Sequence, residues 1–404
     1  MSELICVFTA EELVKEHATP LGSEEAPLAD AAGRTLDEVI FSDRPLPPFD
    51  RVMMDGFALR WEDWRSGARS FCHKGDHAAG SPGTELKGAK TCLGVATGAV
   101  MPDGADVVLP VEWSKKEGDR VHFSPPAETE VSAGLYVHAK GSDHAEGASL
   151  VRRGTVLGPA EVAVAATCGY HKVQVVKRPK LVTFGTGDEL VSVDTVPKKH
   201  QIRESNVHAL AAACEADGLE TPRTQRAPDD PDALRDMIKE AMLYADMLLF
   251  TGGVSKGAKD YLPGALYACG FSEIFHGVRQ TPGKPLWFGK HPDGTLAFGL
   301  PGNPISAIVG YSRYVRIAIR ALTGLPPERI RVAELAEPHE FKPPLARFLP
   351  VRLEETETGQ AKAYPRPPQN SGDLSGPVGT DGFVQLPERE TTFPKGFRAP
   401  FYPW

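Results

Sequence analysis

The sequence predicts a multidomain protein of mixed α/β plus β class, with one open, mostly parallel α/β domain and β-rich segments elsewhere in the chain. Three observations carry this expectation. At 404 residues the chain is too long for one compact core, so roughly two to four domains are expected. From Lys180 to Gly324, apolar strand-like runs alternate with helix-like segments, as in an open parallel sheet covered by helices. Outside that span, many of the 40 Gly and 36 Pro cut the chain into short elements with defined turns.

In chain order, residues 3–19 read as a short amphipathic helix with Thr9 as N-cap and Glu11–Glu12 in its first turn. The run Pro45-Leu46-Pro47-Pro48-Phe49-Asp50 is rigid and extended, because proline fixes φ and removes donors, and it suits a domain crossing. Residues 50–140 carry short β-like runs such as Val107–Val111 and Val121–Phe123. A helical stretch, Ala160–Thr167, and a strand, Lys172–Val176, follow. In the α/β span, strands are expected at Leu181–Phe184, Met247–Phe250 and Thr295–Gly299. Helices are expected from Ser205 to Glu215, over Asp232–Leu243, over Tyr261–Ala268, and from Asn303 as N-cap through Pro304 to Leu322. After Pro326 the short β pattern returns and residues 330–404 read as a small all-β domain.

The bulk numbers exclude several classes. The formal net charge of -8 and the lack of a Lys/Arg-rich run argue against nucleic acid as a partner. An anionic substrate would have to be held by backbone amides, a few basic side chains or a metal ion. The six cysteines include no CxxC pair and read as buried small residues in a reducing compartment, so the cytoplasm is the expected location. No stretch suits a signal peptide or a membrane span.

Ligands of open parallel sheets bind beyond the carboxyl ends of the strands, and three glycine-rich loops fall there: Gly185–Glu189, Thr251–Asp260 and Leu300–Ser306. Glycine lets backbone approach a phosphate, and the following helix start offers free N–H groups. None of the loops fits the Walker or dinucleotide pattern. Asp188, Glu189 and Asp260 accompany the loops, as solvated caps or as ligands of Mg²⁺, which takes one or two carboxylates plus substrate phosphates. Lys284, held between two prolines, suits an anion contact. On local physics alone, Asp55, in an Asp-Gly hairpin signal, and Asp143 are turn residues. The histidines lack zinc-site pairing.

The ordered motifs resemble the molybdopterin molybdenumtransferases, or molybdenum insertases, a family that includes the insertase domains of gephyrin-like proteins. Leu46-Pro47-Pro48-Phe49-Asp50 with Met54-Asp55-Gly56-Phe57-Ala58 is similar to the family's opening signature. In order follow Thr97-Gly98-Ala99, Pro102-Asp103-Gly104-Ala105-Asp106, Gly141-Ser142-Asp143, Gly185-Thr186-Gly187-Asp188-Glu189-Leu190 and Gln201-Ile202-Arg203-Glu204-Ser205-Asn206. Gly252-Gly253-Val254-Ser255 with Asp260-Tyr261, then Pro282-Gly283-Lys284-Pro285 and Gly299-Leu300-Pro301-Gly302-Asn303-Pro304 with Ser306, complete the set over nearly the whole chain.

The resemblance implies four domains: a linking domain at 20–46 and 141–177, an inserted β-rich domain at 47–140, an α/β pterin- and nucleotide-binding domain at 1–19 and 178–326, and a C-terminal β-barrel at 327–404. It implies Mg²⁺-dependent insertion of molybdate into adenylylated molybdopterin with release of AMP. The family forms homodimers, and contact with the upstream adenylyltransferase is expected. Glu189 and Asp260 would hold the metal, and Gly252, Gly253 and Ser255 would cradle the substrate. Lys284, Pro301, Asn303 and Ser306 would line the pterin and molybdate region, and Asp55 and Asp143 would act near the scissile bond. A diverged non-catalytic paralogue or scaffold, and a pterin adenylyltransferase, stand as alternatives. Basic residues of the family pattern are replaced by Thr281, His138 and Pro350, and Thr251 replaces a serine. With no cation at position 281, Thr281→Arg is expected to tighten molybdate binding, unless Arg279 or Lys256 already supplies the charge.

Overall fold

The computed structural model describes residues 4–254, 261–370, 372–373 and 375–404. The chain divides into two compact units, one made of residues 1–24 and 175–404 and the other of residues 25–174. Ser255 and Asp260, both expected in the site, and Lys256 lie outside the described residues.

The first unit is built on a six-stranded sheet in the order Arg223–Ala227, Leu181–Thr186, Met247–Thr251, Leu296–Leu300, Trp287–Lys290, Ser272–His276. The first four strands run parallel, and Trp287–Lys290 runs antiparallel to both of its neighbours, Leu296–Leu300 and Ser272–His276. The two innermost strands are buried along their whole length, because helices cover both faces. Side chains alternate between the faces: Met247, Leu249, Leu296 and Phe298 join one core, and Leu248, Phe250 and Ala297 join the other. On the first face pack Val7–His17, Asn206–Ala216 and the helix that starts at Pro304. On the second pack Pro231–Met242 and Leu262–Ala268, over the stacked rings of Phe184 and Phe250, 4.7 Å apart.

Three readings change in detail. The first helix is capped by Cys6, whose Sγ accepts the Thr9 N–H at 3.4 Å, so Thr9 lies inside the helix. The helix from Pro304 to Leu322 contains a π-helical stretch, Tyr311–Val315, where Tyr311 and Arg316 both bond Asp217. The strands Arg223–Ala227, Ser272–His276 and Trp287–Lys290 were not expected. The first is a polar edge strand, and the other two lack period-2 alternation.

The C-terminal part of the same unit closes into a five-stranded barrel. Arg331–Leu335, Ala361–Pro365, Ala346–Glu355, Gly382–Leu386 and Arg398–Pro403 form a complete ring around Leu335, Leu349, Val384 and Phe401. Gln280–Thr281 adds a parallel pairing to this ring, setting Thr281 opposite Arg347.

The second unit holds a six-stranded sheet ordered Val107–Pro110, Gly56–Leu59, Thr91–Val95, Ser70–His77, Arg120–Phe123, Ser114–Glu117. Its aromatic core centres on Phe123, which Phe57, Phe71 and Trp64 meet edge-on at 5.6, 5.8 and 6.4 Å. The Asp55-Gly56 pair is not a hairpin turn. It opens the strand Gly56–Leu59, whose partners on the two sides are Thr91–Val95 and Val107–Pro110. Gly56 is required by close approach, since a Cβ there would overlap the Leu109 carbonyl. The helix expected at Ala160–Thr167 runs Pro159–Thr167, and Glu161 returns to cap the Gly158 N–H at 2.9 Å.

Candidate functional site

The three glycine loops converge at one end of the parallel sheet. The strand Leu181–Thr186 runs into Gly187, Met247–Thr251 into Gly252-Gly253, and Leu296–Leu300 into Pro301-Gly302-Asn303. Parallel register between adjacent strands places Gly185 beside Thr251, and Thr251 beside Leu300, so the loops leave the sheet at one level. Cross-loop bonds fix them. Thr186 Oγ1 donates to the Thr251 carbonyl at 3.1 Å, the Gly252 N–H to the Leu300 carbonyl at 2.9 Å, and Asn206 Nδ2 to the Gly302 carbonyl at 2.8 Å. Gly252, at φ +91°, packs against Thr186 so tightly that a Cβ would collide with it.

Between the loops lies a cavity of about 560 Å³. Its wall includes Gly187, Glu189, Gly252, Gly253 and Asn303, all within the loops singled out by sequence. It also includes Glu204, Asn206 and Asp229, which sequence reasoning did not assign a role. For Glu204 and Asn206 a signal existed in the motif Arg203-Glu204-Ser205-Asn206. Asp229 had none beyond its place after a strand that was itself missed. Glu189 is exposed and Asp229 half-buried, whereas Glu204 is only 9% exposed. Burial pushes the Glu204 carboxyl up, with His208 and Arg226 acting against it, and its Oε1 has no hydrogen-bond partner.

Pro301, Lys284 and Ser306 do not line this cavity. Pro301 and Ser306 are buried, and Ser306 backs Gly283 of the Pro282-Gly283-Lys284 turn. Lys284 is exposed. Beside that turn is a second cavity, of about 180 Å³, lined by Thr281, Pro282, Arg347, Pro350, Gln369 and Asn370 among others. Arg347 lies on the barrel strand Ala346–Glu355, opposite Thr281. Its Nε is buried without a partner, its guanidinium sits 5.1 Å from the Phe341 ring centroid, and burial pushes its pKa down. It remains a cation, because guanidinium does not deprotonate in proteins. Arg279 is committed elsewhere: Nε bonds Glu388 at 3.2 Å and Nη1 bonds the Leu4 carbonyl at 2.8 Å.

In the second unit, Asp55 is fully exposed at the edge of a cavity of about 450 Å³ that also includes His77 and Asp76. Its Oδ1 accepts the Thr97 N–H at 2.6 Å and the Thr97 hydroxyl at 2.7 Å, and these bonds hold its carboxyl below the usual range. Asp143 does not line that cavity. It ends a short relay: an Arg51 guanidinium N–H donates to His138 Nδ1 at 3.0 Å, so Nε2 carries the ring proton and donates to Asp143 Oδ1 at 2.8 Å. The His138 bond depresses the Asp143 carboxyl. Both aspartates are thus ionised at neutral pH.

Among the described residues, no three His, Cys, Asp or Glu side chains form a ready-made metal cluster. The donor set of the 560 Å³ cavity, Glu189 and Asp229 beside glycine amides, suits a hydrated Mg²⁺ that arrives with phosphates, which needs one or two carboxylates. No helix of the described residues is long and apolar enough to cross a membrane.

Comparison with known proteins bears on this arrangement. Residues 5–169 match the family described as MoeA N-terminal region (domain I and II), residues 183–321 the probable molybdopterin binding domain, and residues 332–404 the MoeA C-terminal region (domain IV). A molybdopterin molybdenumtransferase of Synechocystis is 36% identical over 402 residues, covering 99% of this chain and 100% of that protein. One from Staphylococcus aureus is 32% identical over 379 residues, covering 92% and 88%. Two crystal structures of MoeA proteins from Pyrococcus horikoshii superpose with TM-scores of 0.82 and 0.81 at 29% and 26% identity, the first covering 99% of both chains and the second 100%. The chain belongs to the MoeA family of molybdopterin molybdenumtransferases, enzymes of molybdenum cofactor biosynthesis.

Proposed function

We propose that the chain inserts molybdate into adenylylated molybdopterin in a Mg²⁺-dependent reaction that releases AMP. The observation that carries this is the convergence of three glycine loops with Glu189, Glu204 and Asp229 around one cavity. An acidic protein can hold a phosphoanhydride there through backbone N–H groups and a cation. Gly252 and Gly253, with Ser255 beyond them, cradle the phosphates, and Asn303 faces them from the next loop. Glu189, together with Asp260, holds Mg²⁺, and Asp229 stands on the same wall. When bound, Mg²⁺ neutralises charge on the phosphoanhydride oxygens.

In this reading, water adds to phosphorus, the phosphoanhydride P–O bond breaks and AMP leaves. Asp55 and Asp143, both ionised, orient that water. Lys284, Pro301 and Ser306 border the region where molybdate meets the dithiolene, and Arg347 supplies the cation that position 281 lacks. Two copies form a C₂ homodimer in which the Asp55 face of one protomer serves the cavity of its partner, and the upstream adenylyltransferase delivers the substrate. The exposed carboxylate of Asp55 supports this, because both of its hydrogen bonds from Thr97 fall on Oδ1.

The test is AMP release from adenylylated molybdopterin, measured with and without Mg²⁺ and molybdate, in the wild type and in Asp55→Asn. Release that needs both ions and collapses in the variant is expected. Release independent of either ion overturns the reading. A monomer by sedimentation at micromolar concentration, with activity intact, overturns the dimeric site.

A further inference from the structure

We propose that Glu204 reads the 2-amino-4-oxo edge of the pterin ring and so fixes which end of the substrate enters the 560 Å³ cavity first. The inference rests on the assignment of that cavity to the pterin substrate. Glu204 is the one buried carboxylate among the described residues of the cavity wall, at 9% exposure. Exposed Glu189 and half-buried Asp229 can satisfy their oxygens with water or a hydrated cation. Glu204 is buried, and its Oε1 has no hydrogen-bond partner among the described residues. A buried carboxylate without donors is costly, and the cost falls when a ligand brings donors to it.

The local backbone is built around this carboxyl. A Cβ on Gly185 would overlap Glu204 Oε1, so glycine at 185 makes the space the carboxyl fills. The Glu204 N–H is bonded to the Val191 carbonyl at 2.9 Å, and Asn206, two residues on, ties the segment to the Gly302 loop at 2.8 Å. The backbone that carries Glu204 is therefore tied to two loops, and the residue lines the cavity wall. The phosphate-binding glycines Gly252 and Gly253 line the same cavity from another strand.

Complementarity then selects the ligand edge. The 2-amino-4-oxo edge of a pterin presents two adjacent N–H donors, from the 2-amino group and N3, which match the two oxygens of a carboxylate. Adenine presents one donor beside an acceptor and matches it poorly. The ring is thus oriented toward Glu204 and the phosphates toward the glycine loops.

The test compares pterin with lumazine, in which the 2-amino group is replaced by a carbonyl, by fluorescence titration of the protein without Mg²⁺ or molybdate. Opposite a carboxylate, lumazine loses one N–H donor and gains a repelling oxygen. The wild type should prefer pterin by about ten-fold, the value of one charge-assisted hydrogen bond at the low end. Glu204→Gln should lose that preference, because its amide can donate to the lumazine carbonyl. Glu204→Asp should bind both rings more weakly yet keep the preference for pterin. Thermal melts check that each variant is folded. A purely structural role for Glu204 would lower stability and leave the pterin-to-lumazine ratio unchanged, and that result overturns the inference. Failure of the wild type to bind either ring would instead remove the assignment of the cavity to a pterin, and the inference with it.

Discussion

Removing the Arg347 cation while leaving its cavity open should weaken molybdate binding without weakening the fold. Arg347 lines the 180 Å³ cavity with Thr281 and Pro350, and its Nε is buried with no hydrogen-bond partner among the described residues. A hydrogen bond to a charged group contributes about 1.5–3 kcal/mol, so losing one such contact to a tetrahedral dianion should raise Kd roughly 10- to 100-fold. Among the described residues Arg347 makes no ion pair and its contact is with the Phe341 ring at 5.1 Å, so Arg347→Met should melt close to the wild-type temperature. The same geometry changes the expectation for Thr281→Arg. A second guanidinium would enter a small cavity opposite an existing one, so that variant should bind molybdate no more tightly than the wild type. Thr281→Arg combined with Arg347→Met should recover part of the lost affinity, since the cation is then restored from the neighbouring strand. Calorimetric titration of molybdate into the four proteins decides the matter. Unchanged affinity in Arg347→Met, or a clear gain in Thr281→Arg alone, refutes the argument.

Three further outcomes are expected. His339, whose Nε2 is buried without a partner, is held below its ordinary value of 6.5 first by burial and then by Arg347. The unfolded chain therefore binds more protons as pH falls through 6.5, so this contribution to stability should be level above 6.5 and decline from there down to the folded pKa; His339→Phe should flatten that slope, and an unchanged slope counts against the assignment. Gly56→Ala should destabilise the 25–174 unit by about 1–3 kcal/mol through overpacking against the Leu109 carbonyl, read as a fall in denaturant midpoint. His138→Ala should let the Asp143 carboxyl rise toward its ordinary value, because the His138 bond is the first cause of its depression; carboxyl titration by NMR would show no movement if the relay were idle.

The fold was legible where burial and periodicity agreed. The strands at Leu181, Met247 and Leu296 are mostly apolar and almost wholly buried because helices cover both of their faces, and such runs stand out in any sequence. Arg223–Ala227 escaped notice because an edge strand needs no apolar side chains on its open side, and it reads Arg-Thr-Gln-Arg-Ala. Cys6 displaced Thr9 as helix cap because a thiol can accept an N–H that sequence rules reserve for oxygen. Asp55-Gly56 misled for a sharper reason. Glycine was taken for a turn residue, whereas its role is to let the Leu109 carbonyl approach a central strand. Composition alone cannot tell a glycine chosen for its φ from one chosen for its missing Cβ.

The candidate site was legible through its glycine loops and much less so through its charges. Loops announce themselves by residue type, while a cation is defined by where its side chain ends. Position by position, three basic groups of the family pattern are absent, which reads as a weakened anion site. In space, two neighbouring arginines answer the three losses. Arg51 bonds His138 at 3.0 Å on the side away from Asp143 and sets the ring proton toward the carboxylate. An arginine at 138 would bond Asp143 directly; here the histidine bonds it through Nε2, with the Arg51 cation one residue further back. Thr281 and Pro350 line one small cavity with Arg347, which pairs in register with Thr281 from the barrel strand. Charge at such a site is a property of the cavity, and strand pairing lets a neighbouring position supply it. The departures from the family pattern therefore argue for a relocated anion contact, with Arg347 as the residue whose loss the protein should notice most.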